Sequence, residues 1–137
     1  VAICHGSPAD EDAYIFSAYD AQTAFAAVDS RVVFFGHSHV PSLFSLRDHE
    51  QRPTLKVQLL AGRRSVLELE PEGRYLVNPG SVGQPRDRDP RAAYAIYDAA
   101  VGRLYVYRVQ YRAGSARKRI LQSGLPPVLG DRLLYGA

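Results

Sequence analysis

A chain of 137 residues can build one hydrophobic core and is too short for two domains of ordinary size. Its 46% hydrophobic and 23% charged residues argue against disorder, and no apolar run approaches the roughly 18–20 residues of a membrane-spanning helix. The net charge of +3 hides an acidic start, with Asp10, Glu11, Asp12, Asp20 and Asp29 and no basic residue before Arg31. Elsewhere the positive charge is almost all arginine, whose planar fork suits phosphate and carboxylate partners.

Val1–Cys4 reads as a short apolar strand ended by turn chemistry at His5-Gly6-Ser7-Pro8. The chain contains no Met and opens on this strand without a lead-in, so it is expected to be part of a longer product. The single Cys4 excludes an intramolecular disulfide and suits a reducing cytoplasm. After an acidic loop, Asp20 is placed to cap a helix in which Ala21, Ala24, Phe25 and Val28 recur at i, i+3, i+4 and i+7. Arg31–Phe35 is a continuous apolar run, the pattern of a strand buried on both faces. It stops at Gly36-His37-Ser38-His39-Val40-Pro41. Strand, helix, strand begins an α/β layout in which ligands sit beyond the carboxyl ends of strands.

Strands are then expected at 43–46, 55–60, 65–70 and 74–77, with Leu67 and Leu69 on one face and Glu68 and Glu70 on the other. Residues 92–98 and 104–109 flank Ala99-Ala100-Val101-Gly102, a hairpin with a glycine available for positive φ. Ser115 is placed to cap a helix that ends before Gly124, and residues 128–134 form a last turn or two. Arg112, Arg117, Lys118 and Arg119 read as a solvated helix face rather than a nucleic-acid site.

Four histidines are the candidates for chemistry. His49, within a run of charged residues, reads as solvated. His5 and His37 each follow the end of a buried strand, and one helix joins those strands, so they should be parallel neighbours ending on one rim. In an extended segment, His37 and His39 would leave the same side with Cα atoms roughly 6.5–7 Å apart. Two imidazoles at that spacing can each reach one of two metal ions about 3.5–4 Å apart. The three histidines alone would equally make a mononuclear His₃ zinc site with an open position. A phosphoester-cleaving centre needs carboxylates as well, and Asp10, Glu11 and Asp12 are clustered in a polar loop. Cys4 beside His5 is not a thiol–base pair, because successive strand residues point to opposite faces. Ser81 lacks the setting of a nucleophile elbow, and no phosphate-binding glycine loop is present. Asn78-Pro79-Gly80-Ser81 follows a strand at the rim, and Asn78 and Arg86 are the candidates for substrate contact, Arg86 by bidentate bonds to phosphate.

Taken in order, His5-Gly6-Ser7-Pro8, Gly36-His37-Ser38-His39-Val40-Pro41 and Val77-Asn78-Pro79-Gly80-Ser81-Val82-Gly83-Gln84-Pro85-Arg86 resemble the calcineurin-like metallophosphoesterases, in particular their small bacterial and archaeal phosphodiesterase branch. The resemblance implies an α/β fold, strand-rich with two or three helices: the C-terminal half of a two-sheet αββα sandwich. Residues 1–137 would be the C-terminal portion of one metallophosphoesterase domain. It implies a metal-dependent phosphoesterase, a phosphodiesterase by branch, in which a metal-bridging hydroxide at a dinuclear centre attacks a phosphate ester. His5 and His37 match ligands of the family's second metal, and His39 a ligand of the first. Two divalent ions are implied, Mn²⁺ first, with Fe, Zn or Ni as alternatives. The family's earlier D-x-H, G-D and G-N-H motifs do not occur in this sequence. They carry the bridging carboxylate, the remaining ligands and the general-acid histidine. A missing N-terminal half is therefore the expected partner, no catalytic residue is assigned within this chain, and the isolated chain should be inactive. Neither membrane nor nucleic acid is required. The alternative is a non-catalytic binding or scaffold module on a degenerate version of the same fold.

Overall fold

A computed structural model describes the backbone of residues 1–49 and 52–137 and the side chains of 1–48 and 53–137. The elements in chain order are β1 (Ala2–Ile3), α1 (Ala18–Ala26), β2 (Val32–Phe34), β3 (Ser42–His49), β4 (Arg52–Leu59), β5 (Arg64–Glu68), β6 (Arg74–Asn78), β7 (Ala92–Asp98), β8 (Arg103–Val109), α2 (Ala113–Gln122) and α3 (Pro127–Tyr135). They form two sheets, ordered β1-β2-β6-β3-β4 and β5-β8-β7. β1, β2 and β6 run parallel, and the remaining pairings are antiparallel. The mixed α/β architecture and the two-sheet sandwich expected from the resemblance are both present. The side chain of His49 lies outside the described residues.

Alternation along the central strands builds the layers. Val33 and Leu76 are register partners and pack with Ala21, Ala24 and Phe25 of α1. Their neighbours Val32, Tyr75 and Val77 turn the other way and pack with Leu104 and Val106 of the second sheet. β2 is thus covered on both faces, which is why its sequence is a continuous apolar run and not an alternating one. β5 is covered on one face only, so Leu67 and Leu69 lie inward while Glu68 and Glu70 are exposed. In β8 the inward series Leu104, Val106 continues to Arg108, which is buried at the edge of the core.

Two helix starts differ from expectation. Ser17, not Asp20, is the N-cap of α1, and Asp20 is the third helical residue of a capping box. The Ser17 hydroxyl accepts from the Asp20 N–H at 3.2 Å, and the Asp20 carboxylate accepts from the Ser17 N–H at 2.8 Å. Each side chain satisfies a backbone donor that the helix leaves free. Helix α2 begins at Ala113, so Ser115 lies inside its first turn; Arg112 occupies the N-cap without a side-chain cap bond. A helix that buries no residue of its own is held through packing on α3.

Bonds from the Ser17 N–H, the Ser17 hydroxyl and the Phe16 N–H hold the Asp20 carboxyl below its ordinary range. Because the folded pKa is lower than the unfolded one, this stabilisation is complete above about pH 4–5 and is lost as the pH falls through the folded value. Ser17→Ala is expected to cost about 1 kcal/mol at pH 7, and Asp20→Asn to show its deficit at pH 7 but much less at pH 2. Urea denaturation at the two pH values measures both.

Candidate metal centre

The parallel ladder brings the first two histidines together. Cys4 N–H donates to the Phe34 carbonyl at 3.0 Å and Gly36 N–H to the His5 carbonyl at 2.7 Å, which carries the pairing past the ends of β1 and β2. Phe35 N–H donates to the Val77 carbonyl at 2.9 Å, so β6 ends on the same rim. His5 Nε2 and His37 Nδ1 are 2.9 Å apart, with ring planes at 72°. The close pair expected from strand order is present.

The segment between His37 and His39 is not extended. Both histidines have φ of 59°, in the left-handed region, which costs a residue with a side chain about 1–2 kcal/mol. The expected same-side projection of an H-x-H strand is therefore replaced by a turn. Interior hydrogen bonds hold it. Asn78 is fully buried, and its Nδ2 donates to the Gly36 carbonyl and to the Ser38 hydroxyl, each at 2.8 Å. Its Oδ1 accepts from Gly80 N–H at 2.8 Å, and Ser38 N–H donates to the Gly36 carbonyl at 2.6 Å. Asn78, considered as a substrate contact, has its amide committed to the loop.

His39 is aimed by the segment that follows. Its Nδ1 lies 2.8 Å from the Gln84 carbonyl, which can only accept, so Nδ1 carries the proton and Nε2 keeps its lone pair. Burial lowers the His39 pKa, and electrostatic interaction with Arg86, His37 and His5 acts in the same direction, against the Gln84 bond. A neutral ring with a free Nε2 is the form in which histidine binds a metal. Arg86 N–H donates to the His39 carbonyl at 3.3 Å, and the Arg86 side chain is exposed and in no ion pair among the described residues.

Do these donors suit a divalent ion? Two nitrogens each about 2.1 Å from one ion, at roughly 90° to each other, lie about 3.0 Å apart. The 2.9 Å between His5 Nε2 and His37 Nδ1 is a hydrogen bond between the two rings, and the same separation meets that spacing. His39 is held separately, and among the described residues no group of three or more His, Cys, Asp or Glu side chains is gathered for one ion. The donors fit as a pair plus a third ring, and the mononuclear His₃ arrangement is not formed. Asp10, Glu11 and Asp12 are exposed in their loop. That loop crosses so close to Gly6 that a Cβ there would lie 2.3 Å from the Glu11 carbonyl oxygen, hence the glycine.

Cys4 is inert by position. Its thiol donates to the Gly6 carbonyl at 3.2 Å, and burial pushes its pKa up. Two participants went unrecognised in the sequence. The Tyr14 ring lies 4.0 Å from the His37 ring, centroid to centroid, and stacks on Phe16. Exposed aromatics on both sides of buried Ile15 are the signal that marks it. Gln84 acts through its backbone carbonyl, so its side-chain identity carries no signal.

The calcineurin-like phosphoesterase superfamily domain matches residues 1–101. The chain belongs to that superfamily. Over 105 residues it is 35% identical to an uncharacterized protein of Methanocaldococcus jannaschii, a match covering 77% of this chain and 39% of that protein. A metallophosphoesterase from Sphaerobacter thermophilus superposes on 98% of this chain and 54% of its own, with a TM-score of 0.83 and 38% identity. A hypothetical protein of Pyrococcus horikoshii superposes on 98% of this chain and 46% of its own, with a TM-score of 0.67 at 18% identity, a likeness of fold. The chain thus spans about half the length of these proteins or less. Superfamily membership implies divalent metal ions in general.

Asn78→Ala leaves the Gly36 carbonyl, the Ser38 hydroxyl and the Gly80 N–H short of their buried partner. A loss of about 2–4 kcal/mol is expected in chemical denaturation. Asn78→Asp, which keeps the acceptor for Gly80 but loses the donor, should be destabilised as well.

Proposed function

We propose that this chain forms part of the dinuclear centre of a phosphodiesterase, the remaining ligands and the general acid coming from sequence that its longer relatives contain. The observation that carries this reading is the 2.9 Å approach of His5 Nε2 to His37 Nδ1, beside a His39 whose Nε2 is left free by the Gln84 carbonyl. In it His5 and His37 hold one ion and His39 the other, Mn²⁺ first, with Fe, Zn or Ni as alternatives. Two such ions would supply charge neutralisation at phosphorus and an activated water.

The chain's own residues do the rest. Gln84 fixes the tautomer and direction of His39. Asn78 is a positioning residue: it holds the left-handed turn so that both histidines keep their aim. Tyr14 covers one face of His37 and limits its rotation. In this reading the exposed guanidinium of Arg86 takes a non-bridging phosphate oxygen through charge-assisted hydrogen bonds. The reading includes a cytoplasmic setting, which a lone thiol suits. No helix among the described residues is long and apolar enough to cross a membrane.

Hydrolysis of bis(p-nitrophenyl) phosphate by the protein carrying both halves of the domain tests the assignment. Mn²⁺ should stimulate it, and His37→Ala should lower the rate by more than the roughly 10–100-fold typical of losing an outer-shell partner, with weaker Mn²⁺ binding in calorimetry. Unchanged rate and unchanged Mn²⁺ affinity in His37→Ala would remove the central assignment. Arg86→Ala is expected to raise KM by about tenfold or more while Mn²⁺ affinity stays the same; steady-state kinetics and calorimetry read the two separately.

A further inference from the structure

The inward face of β8 ends on an arginine. Arg108 is 6% exposed and sits beyond Leu104 and Val106, at the edge of the core. Its guanidinium pairs with Asp87 and reaches toward Asp89 at 4.0 Å, while its buried Nε has no acceptor among the described residues. Beside it Arg91 is held by Asp89, with Nε 2.9 Å from Oδ1. Arg63, on the segment leading into β5, is exposed; its carbonyl accepts from the Arg108 N–H at 2.9 Å. These three arginines, with Val109 and Gln110, line a cavity of about 520 Å³. That volume falls within the range of small-molecule sites.

Charge and position both favour an anion there. Arg91 and Arg108 are paired with Asp89 and Asp87, while Arg63 is in no ion pair among the described residues, which leaves this group of side chains net positive. Asp87 and Asp89 are half-buried while Arg86 and Arg88 are exposed, so the acidic residues of this alternating run serve to hold the arginines. Fixed guanidiniums lose less freedom on binding than mobile ones, and their forked donors match phosphate. Ala93 N–H donates to the Ser81 carbonyl at 2.8 Å and Leu60 N–H to the Pro41 carbonyl at 2.9 Å. β7 and the segment before β5 therefore start at the same end of the molecule as the histidine rim.

We propose that the cavity bordered by Arg63, Arg91, Arg108 and Gln110 is a subsite for the phosphate group of a phosphorylated small organic molecule. It goes beyond the phosphodiesterase reading and holds whether or not the histidines bind metal. A free inorganic phosphate offers the same charge but leaves most of 520 Å³ unfilled.

Calorimetry on the metal-free protein, with inorganic phosphate and adenosine 5′-monophosphate as separate probes, decides it. The nucleotide should bind, and more tightly than phosphate. Arg63→Ala should weaken it about tenfold or more, and Arg63→Glu should abolish binding. The fold contact of Arg63 is made by its carbonyl, so both variants keep it. His37→Ala should bind the nucleotide as the unmodified protein does. No binding to the unmodified protein, or equal affinity in Arg63→Glu, would overturn the proposal. Loss of binding in His37→Ala would place the anion at the histidines and overturn it too. Phosphate binding as tightly as the nucleotide would overturn the assignment to an organic ligand.

Discussion

A single buried amide organises the rim of this protein. Asn78 ends β6, and its side chain donates twice to the loop that leaves β2 and accepts once from Gly80 of its own segment. The loop needs that support because two of its residues, His37 and His39, adopt a conformation that disfavours side chains. Their strain persists because the surrounding bonds determine the loop more strongly than local preference does. Strand pairing sets the distance from β6 to β2, and hydrogen bonding sets the shape of the loop that leads from β2 to β3. The aim of the imidazoles depends on both.

From the same rim, the segment after Asn78 connects two groups of charges that are separate in sequence. The carbonyl of Gln84 directs His39, the N–H of Arg86 meets the His39 carbonyl, and Asp87 and Asp89 then hold Arg108 and Arg91. Arg88 has φ of 65° and donates its N–H to the Gly136 carbonyl at 2.8 Å, which joins the end of α3 to the segment. The histidine group and the arginine group are therefore parts of one continuous, internally bonded edge.

Much of this was readable in advance where a pattern has a period. The continuous run at 31–35 signalled a strand covered on both faces, and the alternation at 66–70 one covered on a single face. Residues 92–98 form β7 as expected, and the hairpin glycine Gly102 has φ of 64°. The ends of helices were harder. Ser17 and Asp20 are both good capping residues three apart, and only the direction of their reciprocal bonds shows which stands outside the helix. Ser115 has the chemistry of a cap, but α2 begins two residues before it, at Ala113.

By itself the sequence determined the order of elements and the parallel pairing of the two histidine-bearing strand ends. Those depend on local periodicity, on turn residues and on the rule that a helix joins parallel neighbours. What the tertiary structure decided was orientation: a turned, not extended, H-x-H segment, an asparagine spent inward, a backbone carbonyl that selects a tautomer and an arginine buried at the end of a core stripe. Each depends on partners 20 to 50 residues away whose approach no local pattern encodes, so only the folded chain reveals them.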